Sequence, residues 1–403
     1  MHTYCIARVV LGSDKNLLVS DDGVRWISEI PSNTWTLSRA PRQLDPWCMN
    51  TLIGLNKLES RVLPAEKLVK PYELLAPESL ANIPWHQALS RRQYKEFVDH
   101  LMTIAKTSLD DNDNLRYYKT TWRPASELLA SLSSACVDIE GVQHVIASGD
   151  GNADVLRSFL PTHDNTCNPV MYDRLKTLTG RLRVVSGPQI LTLKQEHRAL
   201  LRSKWGNQGH IVYVDFSNLE VRVILYESGR RCTESDLYAY VNREVFDNAL
   251  ERNTVKAAVI SQLYGISEGS LAKKLELPVE EVKKFKTMVD GFFRTRNLRN
   301  RIKREFKKKG YITNRYGRRI DIREPLNHIF VNSYAQSTGV DVALMGFHEI
   351  MKDFETDKVS PLFVLHDALI VDCHDDELQR LLETQHVHVP GYVQEFRLTT
   401  KLL

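Results

Sequence analysis

The spacing of hydrophobic and polar positions changes along the chain, and the changes divide it into three. Residues 1 to about 85 carry short β-branched and aromatic runs. Tyr4 to Leu11 and Asn16 to Ser20 predict strands, with a turn at Asp21-Asp22-Gly23. Trp26, Trp35 and Trp47 are spread through the same region, which reads as a small mixed or β-containing module with no motif that carries chemistry. From about residue 86 to 160 the period becomes helical. Phe97, Val98, Leu101, Met102 and Ile104 place a helix over Gln93 to Ala105, and Pro124 sits near the first turn of another that runs toward Leu132. From residue 170 onward short strands alternate with long helices, without internal repeats or low-complexity tracts, which predicts an α+β or mixed α/β class.

Three stretches in this last part answer one another. The apolar run Ile211-Val212-Tyr213-Val214 reads as a short buried strand that delivers Asp215 at its end, and an amphipathic segment with Glu220 and Arg222 follows. Leu362-Leu365 and Ala368-Val371 read as two apolar strands hinged at His366-Asp367. Two carboxylates on neighbouring strands suit a pair of divalent ions, one activating a 3′-hydroxyl and the other holding a triphosphate. Mg²⁺ fits because it takes oxygen ligands and keeps water and phosphate in its shell. Alone, either Asp is more simply a turn or cap residue. The third stretch changes that balance: in Arg252 to Gly265, Arg252, Lys256, Ile260 and Tyr264 recur every four residues and form one inclined helical stripe roughly 18 Å long. Its first half is cationic and suits phosphates. Its second half is apolar and aromatic and suits a sugar and base. Gly265 then lets the chain turn away. Together the three stretches describe a nucleotidyl-transfer site.

Composition adds bounds. The chain has 403 residues, 26% charged and 42% hydrophobic, with a net charge of +4, as expected for a soluble globular protein of two or three domains. The mild overall basicity says little about partners; its distribution says more. Arg294, Arg296, Arg299, Arg301, Lys303, Arg304, Lys307, Lys308 and Lys309 crowd one predicted helix, opposed there by Glu305 alone, which favours phosphate contact over an ordinary solvated face. Cys5, Cys48, Cys136, Cys167, Cys232 and Cys373 show no CxxC spacing, so neither a zinc site nor a disulfide framework is expected, and a reduced, cytoplasmic protein is the simple reading. The N-terminal residues show no signal-peptide pattern, and no apolar run reaches transmembrane length.

On these residues the sequence resembles the family A DNA polymerases, the group of bacterial DNA polymerase I, from about Leu175 to the C-terminus. DFSNLEVRV resembles the family's motif A, R-x3-K-x7-YG from Arg252 its motif B, and LHDALIV its motif C. Thr179-Gly180-Arg181-Leu182, the segment Asp236 to Phe246, Gly310 to Arg319 and Asn332 to Asp341 match further family patterns in the same order. The resemblance implies a right-hand architecture: a thumb-like helical region over 86–165, a palm over 166–235 and 321–403, and fingers over 236–320, with 1–85 left as a module of unknown role. It implies that Asp215 and Asp367, with the Phe216 carbonyl, ligate two Mg²⁺ ions (Mn²⁺ as a substitute). Lys256 and Arg252 would hold the incoming phosphates, with Lys256 also a proton donor to pyrophosphate. Ile260, Tyr264, Glu220 and Tyr238 would line the nucleotide. Arg181, Asn332, Gln336, His366, Arg222 and Arg318 would touch primer–template DNA.

Glu220, five residues after the motif A Asp, would crowd a 2′-hydroxyl and so select dNTPs. Three positions depart from the family pattern. Ile260 stands where Phe or Tyr is usual, Tyr238 where a phosphate-contacting His is usual, and Ala368 where an acid usually follows the motif C Asp, so metal binding rests on two Asp residues. Asp138-Ile139-Glu140 resembles the Asp-x-Glu of a proofreading exonuclease but lacks the later acids, so an exposed acidic turn is expected there and no exonuclease is recognised. The expected protein is a phage-type DNA polymerase whose N-terminal module docks a separate exonuclease, helicase or processivity factor. Two other readings compete. One is a single-subunit RNA polymerase, disfavoured by Glu220. The other is a non-catalytic accessory protein on the same scaffold, disfavoured by retention of the Asp, Arg, Lys and Tyr set.

Overall fold

A computed structural model describes residues 3–32, 34–38, 49, 62–75, 80, 83–110, 117–161, 166–174, 177–322 and 326–403; Trp47 and Cys48 lie outside the described residues. The chain divides into two compact units, Met1–Ser126 and Glu127–Leu403. The division falls inside the 86–165 region that the sequence groups as one helical segment.

In the first unit, strands β1 (Tyr4–Ile6), β2 (Asn16–Ser20), β3 (Gly23–Ile27) and β4 (Trp35–Leu37) form a sheet in the order β3-β2-β1-β4. The Asp21-Asp22 turn joins β2 to β3 as a two-residue hairpin, pairing Ser20 with Gly23. The expected strand over Tyr4 to Leu11 stops at Ile6. Arg8–Leu11 instead form one helical turn, closed by Gly12 in the left-handed region at φ 56°, with its N–H donating to the Arg8 carbonyl. The chain must reverse to pair Ile6 with Leu17, and that tertiary demand overrides the β-propensity of Val9-Val10. Helix α1 (Arg91–Asp110) extends the expected Gln93–Ala105 helix at both ends and buries Phe97, Leu101 and Ala105.

The second unit carries the site. Asp138 is a helix cap: its carboxylate accepts from the Gly141 N–H at 2.9 Å at the start of α2 (Ile139–Ser148) and pairs with Arg202 at 2.6 Å. A five-stranded antiparallel sheet is built from β5 (Gly209–Phe216), β6 (Val359–Leu365), β7 (Ala368–His374), β8 (His386–His388) and β9 (Glu395–Leu402), in the order β6-β7-β5-β9-β8. The apolar runs Leu362–Leu365 of β6 and Ala368–Val371 of β7 follow from burial on both faces. Around the sheet lie α3 (Leu219–Glu227), α4 (Leu237–Phe246), α5 (Arg252–Tyr264), α6 (Glu268–Leu275), α7 (Val279–Phe293), α8 (Thr295–Lys309), α9 (Asn327–Lys352) and α10 (Asp375–Leu382). The class is α+β, as expected.

The 26-residue α9 seats the end of β5. The Phe216 ring lies 5.1 Å from that of Phe347 on α9 and 6.1 Å from that of Phe396 on β9. A Cβ at Gly346 would stand 2.6 Å from the Phe216 ring, so the approach needs glycine there. One buried cross-brace ties distant segments of this unit. Asp341 on α9 accepts from Arg174 Nη2 at 2.9 Å and from Asn314 Nδ2 at 2.6 Å, with Arg174 and Asp341 both essentially without solvent contact. No helix among the described residues is long and apolar enough to cross a membrane.

Candidate active site

Asp215 and Asp367 meet because the sheet register brings them together. Asp215 is the penultimate residue of β5 and pairs with Ala368, the first residue of β7. Asp367 lies in the two-residue turn between β6 and β7, and its carbonyl accepts from the Phe216 N–H at 2.9 Å. His366, before it in the turn, takes the left-handed region at φ 53° and is exposed. The hairpin therefore presents one carboxylate beside the end of the neighbouring strand.

The pair is electrostatically strained. Burial pushes Asp215 up to about 7, the charge of Asp367 adds to the rise, and Lys401 opposes it. Burial also raises Asp367, against the pull of its own backbone N–H, His366 and Arg181. Two half-buried acids that disfavour their own ionisation form a donor set that a divalent cation relieves, and their oxygen chemistry fits Mg²⁺.

Glu220 occupies the first turn of α3 and joins the two halves of the site. Arg181 Nη2 donates to its Oε1 at 2.7 Å, and the Tyr264 hydroxyl donates to its Oε2. Burial raises Glu220, with Arg181 opposing. The end of α5 is thus fastened beside the end of β5. Along α5 the expected stripe grades from exposed Arg252 and Lys256 to half-buried Ile260 and Tyr264. Gly265 closes the helix at φ 73°, and a Cβ there would lie 2.1 Å from His328 Cβ.

At the other end of the stripe, Arg252 Nε donates to Asp236 Oδ2 at 2.5 Å. Asp236 is already the N-cap of α4, accepting from the N–H groups of Tyr238 and Ala239. The Tyr238 ring is buried, 5.4 Å from the Arg252 guanidinium and 6.0 Å from Lys256 Nζ. Tyr238 thus packs beneath the two cations as a buried ring on the first turn of α4.

Asn332 and Gln336 share one face of α9, joined by a 2.8 Å hydrogen bond, and on the same helix a Cβ at Gly339 would stand 3.5 Å from Glu220 Cγ. Two expected DNA contacts are corrected. Arg222 is fully buried and donates to the carbonyls of Ser217, Cys232 and Glu234 at 2.9, 2.9 and 2.7 Å. It clamps the loop after α3, since a buried guanidinium must have its donors satisfied internally. Arg318 is likewise buried, donates to the Arg174 carbonyl at 2.8 Å and packs against Gly180. The sequence missed Arg198 and Lys401. Arg198 lies 5.9 Å from the Tyr213 ring and adds slightly to the depression of His366 that burial and then Arg181 cause, and Lys401 on β9 acts on Asp215. Neither sits in a motif; Lys401 reaches the site only because β9 pairs with β5.

The basic helix α8 is partly tied down. Arg301 pairs with Glu227 at 2.8 Å and Arg296 lies 3.6 Å from Asp290, so its cations are not opposed by Glu305 alone. A groove of about 770 Å³ runs along the helix, lined by Asn297, Asn300, Lys303, Arg304, Lys307 and Phe330 among others.

The family model described as DNA polymerase family A matches residues 153–398. A DNA polymerase of Mycobacterium phage D29 is 27% identical over 52% of this chain and 37% of its own length. DNA polymerase I of Geobacillus stearothermophilus is 24% identical over 66% of this chain and 34% of its own. The chain therefore spans about a third of the length of these relatives. The polymerase domain of Pol1 from M. smegmatis, solved with DNA primer-template and dNTP, shares the fold with a TM-score of 0.59 and 14% identity over all of this chain and 95% of that one. The match over more than half of the sequence makes the chain a member of DNA polymerase family A.

Proposed function

We propose that this chain is a template-directed DNA polymerase that adds dNMPs to a primer 3′-hydroxyl. The observation that carries the reading is the convergence at the end of β5 of two carboxylates, Asp215 and Asp367, with the Tyr264 end of α5 fastened to Glu220 on the helix that follows β5. In this reading residues 166–235 and 321–403 act as palm, 236–320 as fingers and 86–165 as a thumb-like region. The solved relative's complex with primer-template and dNTP supports the same class of ligands here.

Asp215 and Asp367, with the Phe216 carbonyl, would hold the divalent ions. When bound, these ions supply Lewis-acid activation of the attacking hydroxyl and charge neutralisation on the triphosphate. The chain's own groups do the rest. Arg252 and Lys256, exposed on one side of α5, attract and align the phosphates, and Lys256 delivers a proton to the departing pyrophosphate. Asp236 and Tyr238 hold Arg252 in place from below. Ile260 and Tyr264 pack sugar and base. Arg181, Asn332 and Gln336 meet the primer–template minor groove, and His366 lies by the primer terminus. The reading assigns synthesis alone to these residues, not proofreading. It places that synthesis in DNA replication in a bacterial host's cytoplasm, in keeping with the phage relative. Residues 1–85 act as a docking module for a separate exonuclease, helicase or processivity factor; unchanged activity, processivity and partner binding after deletion of residues 1–80 would remove that assignment.

The deciding experiment is primer extension on a primed DNA template with Mg²⁺, run in parallel with dNTPs or NTPs. Extension with dNTPs alone is expected. Extension with NTPs would move the chain to the RNA polymerase branch, and none with either would favour the accessory-protein reading.

Sugar choice should depend on a pinned carboxylate. Glu220 is held from two sides by Arg181 and Tyr264, so it cannot swing away from a 2′-hydroxyl. Glu220→Ala is expected to raise ribonucleotide relative to deoxynucleotide incorporation by about tenfold or more. An unchanged ratio in single-nucleotide competition assays would sink the assignment.

DNA affinity should fall steeply with salt. Removing Lys303, Arg304 or Lys307, one at a time, is expected to lower the slope of log K against log salt by about 1 each. Fluorescence anisotropy across a salt series would read this, and an unaltered slope would mean that α8 faces solvent.

A further inference from the structure

Asp150, Glu196 and His197 converge on one point, with their ligand atoms all within 4.8 Å of one another. His197 Nε2 lies 3.7 Å from Asp150 Oδ2 and 3.9 Å from Glu196 Oε1. The two carboxylates are mostly exposed, but the imidazole side chain is only 7% exposed. Its Nε2 is buried and has no hydrogen-bond partner. A buried ring nitrogen aimed between two carboxylates and bonded to neither is the feature that ordinary packing leaves unexplained.

The ring's orientation is fixed by packing. Gly151, in a left-handed conformation at φ 125°, brings its backbone so close that a Cβ there would lie 2.7 Å from His197 Cε1. Leu156, Leu193 and Leu200 line a small apolar cavity together with the ring. Lys194 Nζ sits 3.3 Å from both Asp150 Oδ1 and Glu196 Oε1, so the carboxylates are already gathered by a cation.

We propose that Asp150, Glu196 and His197 form a second divalent-cation site, for an ion of the zinc class. The site is independent of the polymerase reading and chemically unlike the Asp215–Asp367 pair. One imidazole nitrogen and two carboxylate oxygens suit Zn²⁺, with water completing the shell, whereas Mg²⁺ prefers an all-oxygen shell. The Lys194 ammonium is a built-in competitor: the ion binds by displacing it from the carboxylates. Bound there, the ion ties the turn after α2 to the Gln195–Leu200 segment, which leads through Leu201–Arg202 into β5. It would act as a clamp behind the strand that carries Asp215.

The test uses the full chain carrying Asp215→Asn and Asp367→Asn, so that the other carboxylate pair does not bind metal, and it has no activity readout. Co²⁺ is titrated while its ligand-field absorption is followed, and Zn²⁺ is added in thermal unfolding. One equivalent of Co²⁺ is expected to bind, to survive excess Mg²⁺ and to be displaced by Zn²⁺, with Zn²⁺ raising Tm. Asp150→Asn and Glu196→Gln, both at exposed positions that leave folding intact, are each expected to weaken Co²⁺ binding by about tenfold or more. Lys194→Met is expected to tighten it. Absence of saturable Co²⁺ absorption, unchanged affinity in Asp150→Asn and Glu196→Gln, loss of Co²⁺ to Mg²⁺, or a thiolate-to-cobalt charge-transfer band would each overturn the proposal.

Discussion

Asp367→Asn is expected to lower primer extension by on the order of 10³-fold or more while leaving primer–template affinity nearly unchanged. The carboxylate it removes is one of two that the β5–β7 register places side by side. Ion binding at such a pair supplies several kcal/mol of transition-state stabilisation, and each 1.4 kcal/mol is about tenfold in rate. DNA affinity rests mostly on phosphate contacts elsewhere and should survive. Single-turnover extension and anisotropy binding, measured on the same preparation, separate the two effects. A variant that retains near-normal extension would remove Asp367 from the chemistry.

Substitution at this pair has a second expected consequence, of opposite sign for stability. Asp215 has its pKa raised to about 7 in the folded chain, by burial first and Asp367 second. The folded state therefore binds more protons than the unfolded state between the ordinary carboxylate range and about pH 7, and stability falls as pH rises through that window. With EDTA present at pH 8, Asp215→Asn is expected to unfold at a higher temperature than the parent chain, and the difference should shrink toward pH 5. A parent chain that is the more stable at pH 8 in EDTA would contradict the electrostatic account.

Asp341→Ala is expected to cost on the order of 3 kcal/mol in the unit spanning residues 127–403, by removing a buried carboxylate that accepts from Arg174 and Asn314. Asp341 accepts from both Arg174 and Asn314. Asn314 in turn donates to the Ser337 carbonyl and accepts from the Tyr316 and Arg318 N–H groups. The loss thus propagates through the turn that precedes β-paired Arg319–Ile320. Replacing both charges, as Arg174→Met with Asp341→Leu, should recover much of the stability, because the desolvation cost disappears with the pair. Chemical denaturation of the single and double variants would measure this. A single variant within about 1 kcal/mol of the parent would mean that the brace is not a stabilising unit.

The sequence by itself determined the local frames of the candidate site. Asp215 at the end of an apolar run, the His366-Asp367 hinge between two apolar runs and the four-residue stripe from Arg252 to Tyr264 all appear in the structure where local period and turn chemistry put them. These features depend on neighbours a few residues away, so a single chain displays them. Only the tertiary structure decided which cations meet solvent. Arg222 and Arg318 lie in segments that resemble DNA-contacting motifs, yet both are buried and hold backbone carbonyls. Tyr238 lies under Arg252 and Lys256, and Tyr264 and Arg181 both end on Glu220. Lys401 joins the site from the far end of the chain through strand pairing. Arg8–Leu11 became helical because the chain had to reverse there. Burial and hydrogen-bond partners are set by which distant segments pack together, and a guanidinium reads the same in sequence whether it faces phosphate or a carbonyl.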